Sequence, residues 1–361
     1  MHKVYPGGSQ ALADVSLTVA AGTLLVLLGP SGSGRTTLLR CVADIERVSG
    51  GAIRIGGRVV ADGRVHLPPE RRELAMVFQD YALWPHMVAL DNVASALRRR
   101  GLGREQRRRA AAAMLERVGL AQLAERYPNQ LSGGDQQRVA LARALVAETA
   151  LLLCDEPLSN LDADLRERLR IEISSLVRSA GATTVYITHD QAEAFALADK
   201  VGVLEGGRLV QLGSPEAIYQ SPASAFVARF TGLAGELAVR VTNKTGPNGT
   251  VEVEPVAGGL RLARPLDARP SASINGAGCA LLTVRPTAVR ICKPDGGEHH
   301  ILGTVTDVAF RDRGYEHAVD VPGQGIFSGI FGARREGRGQ TVGLYLEHSG
   351  CMIFPSAGAE V

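Results

Sequence analysis

The chain has 361 residues, of which 45% are hydrophobic, and a formal net charge of +3. Such a length exceeds a typical single domain and such an apolar share fills ordinary cores, so two folded domains are expected and a disordered chain is excluded. A charge this close to balance argues against a protein that holds nucleic acid by neutralising phosphates. The cysteines, Cys41, Cys154, Cys279, Cys292 and Cys351, stand without C-x-x-C spacing. Their odd number suits a reducing compartment, the cytosol, better than a disulfide framework. No apolar run approaches the roughly 20 residues that span a bilayer, and the N-terminus has no signal-peptide core. A membrane role is therefore expected only through a partner.

In chain order, Leu24-Leu25-Val26-Leu27-Leu28 reads as a buried strand and Thr36-Thr37-Leu38-Leu39-Arg40 as the start of a helix. Between them, Gly29-Pro30-Ser31-Gly32-Ser33-Gly34-Arg35-Thr36-Thr37 follows the phosphate-loop pattern G-x-x-x-x-G-K-[ST], except that Arg35 replaces the lysine. Glycine at 29, 32 and 34 lets backbone N–H groups converge on phosphate oxygens, and the helix N-terminus adds partial positive charge. Lysine serves there as a compact point charge, whereas arginine offers a wide planar fork, so the charge is kept and the shape is not. Glycine-rich turns also arise for structural reasons, and the neighbouring motifs decide the case. The run Arg98-Arg99-Arg100 through Arg107-Arg108-Arg109 reads as a solvated helical face rather than a surface for RNA or anionic lipid. Next, Leu131-Ser132-Gly133-Gly134-Asp135 carries an [ST]-x-x-[DE] helix start, whose glycines and helix N-terminus form a second anion site. Leu151-Leu152-Leu153-Cys154-Asp155-Glu156 reads as a buried parallel strand ending in two carboxylates. That arrangement holds Mg²⁺ through its water shell and supplies a base for an attacking water.

Up to about Gly232, apolar runs alternate with helical patterns rich in Ala, Leu and Arg, the texture of an α/β domain with a largely parallel sheet. From Gly235 onward, short alternating segments at 237–241, 250–254, 302–306, 341–345 and 351–354 are separated by Gly and Pro turns, which reads as a small all-β barrel. The expected domains are thus 1–232 and 233–361.

Together these motifs strongly resemble the nucleotide-binding subunit of ABC transporters, whose LSGGQ signature appears as Leu131-Ser132-Gly133-Gly134-Asp135. The resemblance covers nearly all of residues 3 to 232 and implies a P-loop NTPase fold with a helical subdomain, binding ATP and Mg²⁺. It adds Gln79, in Val77-Phe78-Gln79-Asp80-Tyr81, as the sensor of the γ-phosphate and Mg²⁺ site, and His189, after Thr184-Val185-Tyr186-Ile187-Thr188, as the switch histidine. Ser159-Asn160-Leu161-Asp162 resembles the loop that crosses the dimer interface, and Tyr5 sits where the family stacks an aromatic on adenine. The implied nucleotide-binding residues are Tyr5, Gly29, Pro30, Ser31, Gly32, Ser33, Gly34, Arg35, Thr36 and Thr37, completed by Ser132, Gly133 and Gly134 of a facing copy. Thr36, Gln79 and Asp155 are the implied metal residues; Glu156, His189 and Gln79 are the implied catalytic ones.

More weakly, the C-terminal part, with Val284-Arg285-Pro286, resembles the TOBE-type (OB-like) barrel of importer ATPases. Pro68-Pro69-Glu70-Arg71-Arg72 and Tyr81-Ala82-Leu83-Trp84-Pro85-His86 look most like the group serving ferric iron, sulfate, polyamine and sugar uptake, with ferric iron slightly preferred. The partners implied are a second ATPase subunit, two integral-membrane permease subunits and a periplasmic or lipoprotein solute-binding protein. The chain would then lie peripherally on the cytoplasmic face of the membrane. The alternative is a degenerate regulatory subunit with weak turnover, motivated by Arg35.

Other features take plainer readings. Glu298-His299-His300, with His317 or His348, has metal-capable side chains but reads as a loop. Cys154 reads as a small apolar strand residue, and sequons at Asn243 and Asn248 carry no weight in a cytosolic chain. Tyr5 follows Met1 so closely that the strand expected before the adenine-stacking aromatic is missing, which predicts an upstream start or reduced stability. Intact mass and thermal stability of the native protein test this; an N-terminus at Met1 with ordinary stability excludes it.

Overall fold

In the computed structural model, which describes residues 1–245, 250–256, 266–271 and 278–355, contacts separate two units, Met1–Glu216 and Ala217–Val361. Asn248 lies outside the described residues. The first unit opens with a two-stranded ribbon, β1 (Lys3–Val4) and β2 (Gln10–Leu12). β3 (Leu24–Leu28), buried along its whole length, leads through the glycine loop into α1 (Arg35–Ala43). A second ribbon, β4 (Ile53–Ile55) and β5 (Arg58–Ala61), precedes β6 (Leu74–Val77). A helical insertion follows, of α2 (Ala89–Ser95), α3 (Arg104–Arg117) and α4 (Gly133–Leu145). The chain then returns through β7 (Leu151–Asp155), α5 (Ala163–Ser179), β8 (Thr184–Ile187) and α6 (Gln191–Leu197). β9 (Lys200–Glu205), β10 (Arg208–Gly213) and α7 (Pro215–Gln220) complete this stretch.

The central sheet has six strands in the order β10-β9-β3-β8-β7-β6, parallel except for β10 at its edge. Unbroken apolar runs suit strands covered on both faces. Their register fixes what emerges together: Leu27 pairs with Ile187, and Ile187 with Asp155. The residues following β3, β7 and β8 therefore leave the sheet at one carboxyl edge, where open α/β sheets place their ligands.

α1 is held at its far end from outside its own sequence. Arg72, almost fully buried, donates to the carbonyls of Cys41 and Val42, each at 2.9 Å, and pairs with Asp44 at 2.7 Å. Asp44 itself ends the helix with a left-handed φ of 64°, returning its N–H to the last turn. Residues 16–20 run without strand pairing beside a cleft of about 1400 Å³ lined in part by Leu17, Val19, Leu38, Val42 and Ile53.

The second unit takes in most of α7 and α8 (Ala225–Phe230), and its described residues then run through strands joined by two short 3-10 turns, Pro286–Ala288 and His348–Gly350. β11 (Gly235–Thr245), β12 (Val251–Pro255), β13 (Leu266–Pro270) and β14 (Cys279–Val284) come first. β15 (Val289–Cys292), β16 (Ile301–Arg311), β17 (Gly314–Val321), β18 (Gly325–Gly332), β19 (Thr341–Leu346) and β20 (Cys351–Pro355) follow. A closed barrel runs β11-β12-β13-β20-β14. The remaining strands form a separate antiparallel sheet, β15-β19-β16-β17-β18, beyond the single barrel that the alternating segments suggest. The two share one core, with Leu237, Leu282, Phe327, Leu344 and Ile353 all buried.

Composition changes near residue 233, whereas contacts divide the chain after Glu216, and Arg285 accounts for the difference. Buried at the end of β14, it donates to the carbonyls of Tyr219 (2.6 Å), Ala228 (3.0 Å) and Gly232 (2.6 Å) and to Thr231 Oγ1 (3.0 Å). Residues that precede the composition change are thereby held to the strands that follow it.

Candidate active site

β3 ends against a turn that has no space for a side chain at Gly29 or Gly34. A Cβ on Gly29 would stand 2.4 Å from the Leu204 carbonyl oxygen and 2.5 Å from Ser33 Oγ. Gly34 caps α1 with φ 97°, and a Cβ there would lie 2.5 Å from the Ala11 carbonyl oxygen. The leading N–H groups of α1 have no partner inside the helix, which makes this end a site for an anion. Within the same loop, Ser33 Oγ is buried with no hydrogen-bond partner among the described residues.

The carboxylates at the end of β7 differ in environment. Asp155 is buried, with the Thr36 hydroxyl among the groups that act on its carboxylate. Burial pushes its carboxyl above the ordinary value, opposed by Arg40, by the Thr36 hydroxyl and by Arg35. A hydroxyl and a carboxylate are the hard oxygen donors that Mg²⁺ takes, so the residues present fit that ion. Glu156 is half-buried, and its backbone adopts φ 44°, left-handed for a non-glycine residue. Its N–H donates to the Ile187 carbonyl at 3.1 Å, and its own carbonyl accepts from Ser159 Oγ at 2.9 Å. These bonds aim the side chain so that Oε2 meets His189 Nδ1 at 3.0 Å, while Oε1 lies 3.6 Å from Arg35 Nη2.

Arg35, the residue that departs from the phosphate-loop pattern, is buried at 7% exposure, and its Nη1 donates to the Thr188 carbonyl. Burial lowers its pKa, with Glu156 and Asp155 opposing. Thr188 is itself fixed: its hydroxyl and that of Tyr186 both donate to the buried Glu193 carboxylate, and Thr188 Oγ1 accepts from the Asp190 N–H at 3.0 Å.

The remaining expected residues fall into two groups. Tyr5 joins the loop, its hydroxyl 3.4 Å from Thr37 Oγ1, with Lys3 Nζ 4.7 Å from the ring centroid. Gln79 has an exposed side chain, and its backbone carbonyl accepts from Asn160 Nδ2 at 2.9 Å, which links it to the segment Ser159–Asp162. Ser132, Gly133 and Gly134 stand apart within one chain. Ser132 caps α4, with Asp135 Oδ2 accepting its hydroxyl at 2.6 Å and its N–H at 3.3 Å. The close neighbours of the glycines are Leu161, Tyr81 and Leu165, not the phosphate loop.

Residues with no motif signal hold the segment after Gln79. Arg143 donates to the carbonyls of Tyr81 (2.8 Å) and Ala82 (2.5 Å), two residues with left-handed φ of 63° and 46°. Asn92, fully buried, accepts from the Trp84 N–H at 2.8 Å and donates to the carbonyls of Trp84 (3.1 Å) and Met87 (2.9 Å). The one sequence sign was a polar residue inside an apolar helical face.

His299 and His300 are buried, and His300 Nδ1 accepts from the Leu346 N–H at 3.0 Å. His317 is buried and accepts from the Glu336 N–H at 3.1 Å. Among the described residues no group of three or more His, Cys, Asp or Glu is placed to hold a metal ion. All five cysteines are free. Cys41, Cys154 and Cys351 are buried and Cys279 is exposed. Burial pushes the Cys41 thiol up to about 11 and that of Cys351 up to about 12, and raises that of Cys154 further. No helix among the described residues is long and apolar enough to cross a membrane.

Comparison with known proteins is consistent over nearly the whole chain. The family described as ABC transporter matches residues 12–159. The Fe(3+) ions import ATP-binding protein FbpC of Rhizobium etli is 45% identical over 87% of this chain and 84% of its own length. The sn-glycerol-3-phosphate import ATP-binding protein UgpC of Chromohalobacter salexigens is 40% identical over 100% of this chain and 94% of its own. Among solved structures, a dimeric ATP-binding cassette in a post-hydrolysis state with ADP and Pi covers 59% of this chain and 96% of its own, with 30% identity and a TM-score of 0.51.

Proposed function

We infer that this chain, which belongs to the ABC transporter family as an ATP-hydrolysing subunit, energises the import of a small solute or ion. Ferric iron is the cargo we favour, because relatives named for Fe(3+) import match at 44–45% identity over 87–89% of the chain. The relatives named for glycerol 3-phosphate keep that solute as the second reading. The comparisons give a weak-turnover regulatory subunit no support. The observation that carries the reading is the meeting of the phosphate loop, the Thr36–Asp155 oxygen pair and the Glu156–His189 pair at one edge of the parallel sheet.

In this reading the amides of Gly32 to Thr37 cradle the phosphates, with Tyr5 against the adenine. Thr36 and Asp155 would hold Mg²⁺, with Gln79 closing that site, and the bound ion would supply neutralisation of the phosphate charge. Glu156 accepts a proton from the attacking water, and His189, hydrogen-bonded to it, keeps it aimed at the γ-phosphate. Since Ser132–Gly134 face their own chain's leucines, a second copy supplies that segment across an isologous dimer. Two permease subunits and a solute-binding protein complete the machine, and the chain sits on the cytoplasmic membrane face through the permease.

The test is reconstitution with candidate permease and binding-protein subunits from the same organism, following ATP hydrolysis together with uptake of labelled ferric iron and of glycerol 3-phosphate. Iron-dependent uptake that needs ATP supports the favoured cargo. Glycerol 3-phosphate uptake selects the second reading, and no ATP hydrolysis with any partner defeats both.

A further inference from the structure

Arg35 reaches across the sheet edge rather than along its own loop. Its guanidinium is held at one end by the Thr188 carbonyl, which the Tyr186–Glu193–Thr188 cluster fixes from beneath. The other end stands 3.6 Å from Glu156 Oε1, an ion pair without a direct hydrogen bond and therefore readily exchanged. Glu156 is consequently shared: Oε2 belongs to His189 and Oε1 to Arg35. Lysine, with one compact ammonium, cannot hold a carbonyl and a carboxylate in this forked manner.

We propose that Arg35 is a positioning residue for Glu156 as well as a phosphate ligand, and that phosphate and the Glu156 carboxylate compete for its guanidinium. The inference rests on the nucleotide-site reading given above. An entering phosphate draws the guanidinium away from Oε1, which leaves Glu156 held by His189 alone and directed at water. Glu156 thus stays tied until phosphate arrives, and reciprocity requires that the tie weaken phosphate binding by the same factor.

Titration of Mg·ADP into four proteins tests this: the natural chain, Glu156→Gln, Arg35→Lys and the double variant. ADP brings phosphate to the loop without the γ-phosphate that would trap a dimer. Removal of the Glu156 charge relieves general repulsion of phosphate in both backgrounds, and the cycle cancels that part. With Arg35 present, Glu156→Gln is expected to tighten ADP binding by about fivefold or more beyond its effect with lysine present. Arg35→Gln, which has no charge to exchange, gives the same reduced effect and serves if the lysine variant does not fold. A merely structural role for Arg35 weakens binding equally with Glu or Gln at 156. Equal effects of Glu156→Gln in all backgrounds overturn the proposal while leaving the site reading intact. Folded natural protein that binds no ADP overturns that reading itself.

Discussion

Glu156 is where backbone and chemistry meet most closely, because a left-handed φ in a non-glycine residue costs about 1–3 kcal/mol and persists only when its surroundings enforce it. The bonds to Ile187 and Ser159 supply that enforcement, so a substitution keeping the side-chain shape should keep the geometry. Glu156→Gln is expected to retain ATP binding while blocking hydrolysis, giving an ATP-dependent dimer on size exclusion; a variant that stays monomeric with ATP yet turns over excludes the role given to this carboxylate. Steady-state turnover of Arg35→Lys checks whether the fork costs rate: a rise of about tenfold or more, roughly 1.4 kcal/mol of barrier, would show that it does, with KM changing less because backbone amides supply much of the phosphate contact. If the lysine variant is no faster, the loop has adapted to arginine. The phosphate loop, Asp155, Glu156 and Ser132 were legible because contiguous motifs carry them, whereas the placement of Arg35 depends on Thr188 and Glu156, far along the chain. No local pattern encodes that meeting.

Among the elements, α1 carries the phosphate loop at its head and Arg72 at its tail. The last turn of a helix leaves carbonyls unpaired, and here a guanidinium 31 and 30 residues downstream satisfies those of Cys41 and Val42. Arg72→Met should leave Asp44 with His66 alone, 3.1 Å away, strip the Cys41 and Val42 carbonyls of their donor, and lower the stability of the first unit by about 3 kcal/mol in chemical denaturation. A loss under about 1 kcal/mol would show that the pair is dispensable. The strands β3, β7 and β8 were readable because unbroken apolar runs at strand length have few alternatives. By contrast, β17 and β18 escaped reading: Gly314-Tyr315-Glu316-His317 and Gly325-Ile326-Phe327-Ser328-Gly329 mix exposed apolar with buried polar positions and blur the alternation.

At the scale of the whole molecule, the change of composition marks where helices give way to strands, not where one packed body ends. Arg285 draws the carbonyls of Tyr219, Ala228 and Gly232 into the second unit, so a fragment of residues 217–361 should unfold cooperatively. A fragment of 233–361, which lacks those acceptors, should be weaker by about 2–4 kcal/mol, measured by thermal and denaturant melts; equal stability would remove Arg285 as the cause of the boundary. The burial of the cysteines has a practical corollary for covalent labelling. Thiolate is the nucleophile toward a maleimide, and Cys41, Cys154 and Cys351 are both inaccessible and held protonated. A dye added to the natural chain should therefore attach first at Cys279, on β14, and peptide mapping should find the catalytic unit unmodified. The protein thus arrives with a built-in handle for fluorescence on its β-rich half, with no cysteine needing to be removed from the half that hydrolyses ATP.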